Sequence, residues 1–171
     1  IGGGFGGKLP MYLEPLAALL SKKTGRPAKM TITREEVFVA TGPTPGTYLR
    51  IKLGAMKDGT LVAGDAYMAF EAGAFPGSPL NGAMNGIFAP YNIPNVVIDG
   101  YDVVVNKPKT AAYRAPGTPA GMFAGESAIN EMAETLGMDP LDFRIRNAAK
   151  DGDKRPLGAT WGKIGNLAVM E

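Results

Sequence analysis

Residues 47–70 read TYLRIKLGAMKDGTLVAGDAYMAF, two runs of alternating apolar and polar residues on either side of a turn. The Asp58-Gly59 pair in that turn is a strong β-hairpin signal, because glycine accepts the positive φ that tight hairpin turns require. We therefore predict two antiparallel strands, over 47–56 and 61–70. This hairpin is the clearest β-sheet signal in the chain.

The segments around the hairpin alternate between helical periodicity and loops rich in glycine and proline. Apolar spacing and end signals predict helices over 10–24, 34–38, 120–136 and 141–149, a short helix within 80–88, and strands over 29–33 and 96–105. Pro15 is unfavourable inside the first of these helices and allows a later start. Asp139-Pro140 is a good N-cap and first-turn pair for the helix over 141–149. Regular strand–helix alternation and internal repeats are both absent from the sequence. We predict an α+β fold of mixed helices and antiparallel hairpins.

The length and composition indicate one domain. A chain of 171 residues, 45% of them hydrophobic, can build one core but hardly two. We expect residues 1–150 to form this core and residues 151–171 to be a C-terminal extension in loop conformation. Because the chain begins at Ile1 and not at Met, we expect it to be a fragment of a larger polypeptide.

The charge pattern and the missing residue types exclude several functions. The 18 basic and 16 acidic residues are spread evenly, which argues against nucleic-acid binding. No run approaches the roughly 18 apolar residues of a membrane-spanning helix, so we expect no membrane insertion. Without Cys or His the chain has no ligands for iron–sulfur clusters, no thiol nucleophile and no Ser-His-Asp triad. We expect no metal held directly by side chains.

The glycine-rich start offers the first candidate binding segment. Gly2, Gly4 and Gly7 fit the pattern G-x-G-x-x-G, in which glycine lets backbone N–H groups approach an anionic ligand. A dinucleotide site would need a preceding strand and an acidic residue about 20 positions later, and Glu35 comes rather late. The residues alone leave open an anion-binding loop, a nucleotide-binding loop and a simple flexible turn.

Two arginines are further candidates. Arg114 lies in the loop Tyr113-Arg114-Ala115 before a predicted helix, where its guanidinium could bind an oxygen ligand in bidentate fashion. Arg34 precedes two glutamates at a predicted helix start. For both, an ordinary solvated arginine is the competing interpretation.

Nine short motifs support a family resemblance. In chain order they are GGGFGGK, KTGRP, TREE, KDGT, YNIPN, AYR, FAGES, LGMDPLDFRIRN and AAKDGD. Together they resemble the first molybdenum-cofactor-binding domain in the large subunit of the xanthine dehydrogenase/aldehyde oxidase family of molybdenum hydroxylases. The resemblance covers essentially the whole chain and extends to carbon monoxide dehydrogenase large subunits.

The resemblance implies a molybdenum–molybdopterin cofactor, in its plain or its cytosine dinucleotide form. It places the Phe5-Gly6 backbone against the molybdenum centre and an aromatic-Arg element beside the cofactor. The implied cofactor-binding residues are Gly4, Phe5, Gly6, Gly7, Tyr113, Arg114 and Ala115.

The resemblance also implies an oxidoreductase that hydroxylates an aldehyde or an aromatic heterocycle with oxygen from water. Electrons would pass to iron–sulfur clusters and FAD on partner domains or subunits, in a cytoplasmic enzyme. The catalytic base would lie in the remainder of the molybdopterin subunit, so we expect this fragment alone to be inactive.

Departures from the family pattern bear on the substrate. Leu9 stands where purine-oxidising members have Glu, which disfavours xanthine. Ala115 stands where carbon monoxide dehydrogenases have a copper-binding Cys, which disfavours carbon monoxide. The implied substrate pocket comprises Arg34, Leu9 and Pro116. Alternative functions are a nucleotide-binding module and a non-catalytic structural domain.

Overall fold

The computed structural model describes residues 3–171. Within these residues the helices and strands follow in the order α1 (Glu14–Thr24), α2 (Arg34–Ala40), β1 (Thr47–Ala55), β2 (Leu61–Gly73), α3 (Leu80–Gly86), β3 (Asn95–Val104), α4 (Thr118–Leu136), α5 (Pro140–Asn147) and α6 (Asn166–Met170). The α+β class is confirmed. None of these helices is long and apolar enough to cross a membrane.

The three strands form one mixed sheet in the order β1-β2-β3. β1 and β2 pair antiparallel, with Thr47 opposite Phe70, so the predicted hairpin is confirmed. β2 and β3 pair parallel, whereas the sequence indicated antiparallel hairpins only. The difference arises because α3 and its loops carry the chain back to the start of β2, which is the kind of crossover that parallel strands need.

The core lies on one face of the sheet, under α3, α4 and α5. Alternate residues of β2, such as Met68 and Phe70, pack against Ile87 and Phe88 in the first cluster of buried side chains. A second cluster joins Leu61 at the start of β2 to residues of α4 and α5, namely Ile129, Ala133 and Phe143. The period of two in β2 therefore matches its buried face.

Glycines let α3 and α4 approach each other closely. A Cβ atom added to Gly121 would lie 2.8 Å from the carbonyl oxygen of Ala83, and one on Gly125 would lie 2.5 Å from that of Ile87. Both distances are too short for a side chain, so the two backbones are in direct contact. The sequence predicted helix α4 correctly but gave no reason for these glycines.

Two local predictions were wrong, and one alternative was decided. Residues 29–33 form no strand; Thr33 is instead the N-cap of α2, in a capping box with Glu36. α1 begins at Glu14, which is the later start that Pro15 allowed, because Pro15 occupies the first turn of the helix. The predicted C-terminal loop contains the short helix α6, whose first residue, Asn166, donates a hydrogen bond from Nδ2 to the carbonyl oxygen of Pro90 at 2.7 Å.

Asn147 ties the end of α5 to the hairpin turn. Its Oδ1 accepts a hydrogen bond from Leu61 N at 2.8 Å, and its Nδ2 donates to the carbonyl oxygens of Gly59 and Phe143, both at 2.8 Å. The side chain is buried, and all three bonds are made inside the protein. Sequence reasoning did not identify this residue.

A second polar group joins α4, α5 and the loop before β3. The hydroxyl of Tyr91 donates to the Glu126 carboxylate at 2.8 Å, and Arg144 Nη2 contacts the same carboxylate at 2.7 Å. Burial, and then the hydrogen bond to Glu126, raise the pKa of Tyr91 far above its ordinary value. The tyrosine therefore stays a neutral donor.

We predict that Asn147→Ala lowers the free energy of unfolding by about 2–4 kcal/mol, because it leaves the buried Leu61 N–H and Gly59 carbonyl without their hydrogen-bond partner. Urea denaturation followed by circular dichroism measures the change. Asn85→Ala is the matched control, since Asn85 is exposed and bonds only within its own helix. Equal losses of unfolding free energy in the two variants would contradict this stabilising role of the Asn147 hydrogen bonds.

Candidate functional site

The glycine loop, defined as residues 3–8, has an unusual backbone. Phe5 has φ 49° and Gly6 has φ 88°. Within residues 3–171, Phe5 and Ala115 are the only non-glycine residues with positive φ. Both were predicted to contact the cofactor. Backbone strain of this kind is concentrated at functional sites and marks these two segments as candidates.

The backbone of Gly6 lies directly against the predicted aromatic-Arg segment. A Cβ atom on Gly6 would lie 2.7 Å from Tyr113 Cα and 2.8 Å from the carbonyl oxygen of Ala112. Only glycine fits here, both for this contact and for its positive φ. The structure therefore brings together the two segments that the family resemblance assigns to one cofactor.

Residues 107–113 lead into the aromatic-Arg segment, and we call them the strap. Hydrogen bonds hold the strap in place. Thr110 N and Oγ1 both donate to the carbonyl oxygen of Ala72 at the end of β2, at 3.0 and 3.1 Å. Ala111 N donates to the carbonyl oxygen of Pro43 at 2.9 Å, and Lys107 Nζ contacts Glu71 at 2.8 Å. The sheet thus sets the position of the strap.

Asp102 secures the turn next to the strap. Its carboxylate accepts hydrogen bonds from Gly77 N at 2.7 Å and Ser78 N at 2.9 Å, while Lys109 Nζ donates to the carbonyl oxygen of Gly77 at 2.8 Å. Burial raises the pKa of Asp102, but these hydrogen bonds outweigh it and keep the pKa below its ordinary value. The strap therefore borders a fixed turn.

The glycine loop and residues 113–115 present an open surface. Phe5 is 66% exposed and Tyr113 is 48% exposed, and Arg114 and Ala115 are also exposed. No backbone N–H of residues 4–7 finds a backbone acceptor within residues 3–171. Backbone amides of this kind can bind an oxyanionic ligand, and an exposed guanidinium such as that of Arg114 can supply positive charge.

No hydrogen bond or ion pair within residues 3–171 joins the three predicted substrate-pocket residues to one another. These residues are Arg34, Leu9 and Pro116. The Arg34 guanidinium lies 4.4 Å from the centroid of the Phe38 ring on its own helix, and no ion pair within residues 3–171 involves Arg34. The carbonyl of Pro116 contacts Gly82 of α3. Leu9 is 75% exposed. Their shared pocket stays a prediction.

Sequence reasoning missed Tyr12 and Gly42. Gly42 N donates a hydrogen bond to the Tyr12 hydroxyl at 3.1 Å, across 30 positions of sequence. Both residues line a cavity of 250 Å³ between the end of α2, the strap and the residues after the glycine loop. No periodicity or motif connects two positions so far apart, so the sequence held no signal for this contact.

No cluster of three or more His, Cys, Asp or Glu side chains suited to a metal ion occurs within residues 3–171. The candidate binding groups of the protein at this site are therefore backbone amides, Arg114 and aromatic side chains.

Comparison with known proteins identifies the family. Residues 1–148 match the family model described as molybdopterin cofactor-binding domain. The chain is 37% identical over 174 residues to the nicotinate dehydrogenase large molybdopterin subunit of Eubacterium barkeri, covering 99% of this chain and 41% of that subunit. It is 34% identical over 161 residues to the xanthine dehydrogenase molybdenum-binding subunit of Escherichia coli O157:H7, covering 92% and 21%.

Solved structures agree with these sequence matches. The aldehyde oxidoreductase of Desulfovibrio gigas superposes with a TM-score of 0.88 at 35% identity, over 99% of this chain and 19% of that one. The CO dehydrogenase of Oligotropha carboxidovorans gives a TM-score of 0.85 at 28% identity, over 99% and 22%. This chain belongs to the molybdopterin cofactor-binding domain family of xanthine dehydrogenase/aldehyde oxidase-type molybdenum oxidoreductases. It spans less than half the length of these relatives.

We predict that Gly42→Ala loosens the strap. A Cβ atom there would collide with Ala111 Cβ and lie 2.8 Å from the carbonyl oxygen of Lys109, so the bond from Ala111 N to Pro43 should weaken. Hydrogen exchange should show the Ala111 amide exchanging about tenfold faster.

Gly54→Ala is the control for this substitution, because its added Cβ would meet nothing closer than Ala63 Cβ at 3.5 Å. If the Ala111 amide exchanges at the wild-type rate in Gly42→Ala, the close contact between Gly42 and the strap does not hold the strap in place.

Proposed function

We propose that the chain binds a molybdenum–molybdopterin cofactor between the glycine loop and the segment 113–115. The proposed cofactor contacts are Gly4, Phe5, Gly6, Gly7, Tyr113, Arg114 and Ala115. The observation that carries the proposal is the seating of Gly6 on the Ala112–Tyr113 backbone, because it unites two segments that the family resemblance assigns to one cofactor. The cofactor is proposed in its plain or its cytosine dinucleotide form.

The residues present fit such a group. Its oxygen ligands and phosphate are anionic, and the glycine loop offers backbone amides without backbone acceptors of their own within residues 3–171. A Cβ added to Gly4 or to Gly7 would meet nothing within 4 Å, so these positions leave space for a ligand. Arg114 adds an exposed positive charge.

Bound there, the cofactor would supply two-electron oxidation with oxygen taken from water. The role of this chain is to orient it: amides of the glycine loop donate hydrogen bonds to its oxygens, the Arg114 guanidinium offsets negative charge, and the exposed Phe5 ring forms an apolar wall. Glycine is required because any side chain at Gly6 would push the loop off the strap.

The complete enzyme is proposed to be larger than this chain. Because the chain spans 41% of the nicotinate dehydrogenase subunit and 19% of the aldehyde oxidoreductase chain, the catalytic base is proposed to lie in a remainder of the subunit. Iron–sulfur clusters and FAD on partner domains or subunits would accept the electrons. We propose a cytoplasmic location on the family resemblance alone.

The proposed reaction is hydroxylation of an aldehyde or an aromatic heterocycle. Leu9 cannot hydrogen-bond a purine as a carboxylate would, and Ala115 cannot hold copper. The names of two relatives, nicotinate dehydrogenase and aldehyde oxidoreductase, agree with these two substrate classes. Arg34, Leu9 and Pro116 are proposed to contribute to the substrate pocket once the rest of the subunit is in place.

We predict that Gly6→Ala in the complete protein reduces bound molybdenum at least about tenfold, since a displaced loop loses the hydrogen bonds it donates to the cofactor. Metal analysis and pterin fluorescence measure cofactor per subunit. Gly162→Ala is the control, because its Cβ would meet nothing within 4 Å and it lies outside the site.

The proposal would be contradicted if the wild-type protein contains no molybdenum when it is made in a host that synthesises molybdopterin. In that case saturable binding of NAD or ATP would identify a nucleotide-binding module, and the absence of any ligand would identify a structural domain.

A further inference from the structure

The N-terminal arm, residues 3–41, is attached to the rest of the chain at few points. Neither α1 nor α2 contains a buried residue, and Leu16, Leu19 and Leu20 of α1 are all about half exposed. Apolar packing of these helices therefore contributes little to the position of the glycine loop. Other contacts within residues 3–171 must hold the loop in place.

One such contact is Gly6 on the Ala112–Tyr113 backbone. A single point of contact leaves the loop free to rotate about it. The second contact comes from Tyr12, six positions further on, whose half-buried hydroxyl accepts the hydrogen bond from Gly42 N at 3.1 Å. The first contact lies within the proposed cofactor-binding residues of the loop, and the second lies C-terminal to them.

Gly42 in turn connects to the strap. Its backbone is in close contact with Ala111, and the neighbouring Pro43 carbonyl accepts the hydrogen bond from Ala111 N at 2.9 Å. The strap is bonded through Thr110 to the end of β2. The Tyr12 hydroxyl is thus linked, through Gly42 and Pro43, to the same strap on which Gly6 rests.

We propose that Tyr12 is a positioning residue for the cofactor, acting through Gly42 to fix the orientation of the glycine loop against the strap. This inference rests on the proposed cofactor site. Its physical basis is that two attachment points define an orientation where one does not, and that an unbonded, half-buried Gly42 N–H is unfavourable.

The test is Tyr12→Phe in the complete protein, which keeps the ring and removes the hydroxyl. We expect molybdenum to dissociate about fivefold faster during dialysis, with an altered electron paramagnetic resonance spectrum of the reduced enzyme. The thermal unfolding midpoint should stay within about 2 °C of wild type, because the contact is peripheral to the core. Tyr48→Phe, on the exposed face of β1, is the control.

A double-mutant cycle with Gly42→Ala tests the route. If Tyr12 acts through Gly42, the double variant loses molybdenum no faster than the more severe single variant. Wild-type molybdenum retention and spectrum in Tyr12→Phe would overturn the inference, and so would additive losses. If the wild-type protein holds no molybdenum, the proposed function itself fails. Failure of the Tyr12 inference is therefore distinguishable from failure of the proposed function.

Discussion

The proposed cofactor site depends on one contact between two backbones that are far apart in the sequence: Gly6 rests on Ala112 and Tyr113. The contact exists only because Gly6 has no side chain and has a positive φ. It brings the glycine loop against Tyr113, the residue that precedes the exposed Arg114. Without this contact the two cofactor-binding segments predicted from the sequence would be unrelated surface loops.

The remainder of the fold holds the strap where Gly6 can reach it. β2 ends at the point where Thr110 bonds to Ala72, so the central strand of the sheet sets one end of the site. Close packing of α3 on α4 through Gly121 and Gly125 fixes the helix that follows Ala115. The core therefore serves as a rigid support, and the proposed cofactor-binding groups lie on the loops that it positions.

Sequence patterns predicted those parts of the fold whose signals are local. Asp58-Gly59 gave the hairpin, and Asp139-Pro140 gave the start of α5, because turn and cap residues act over a few positions. The parallel pairing of β3, the buried Asn147 and the Tyr12–Gly42 bond join distant positions and follow only from the tertiary structure. The cofactor segments were recognised by family motifs, and their contact came from the structure.

The central proposal is that a molybdenum cofactor binds between the glycine loop and the segment 113–115. A density map of the complete protein, purified with its cofactor at a resolution that places backbone atoms, tests this most directly. The account predicts cofactor oxygens within hydrogen-bond distance of the Phe5 or Gly6 amide and the cofactor beside Arg114. Cofactor density elsewhere, with the glycine loop facing only solvent or protein, would contradict it.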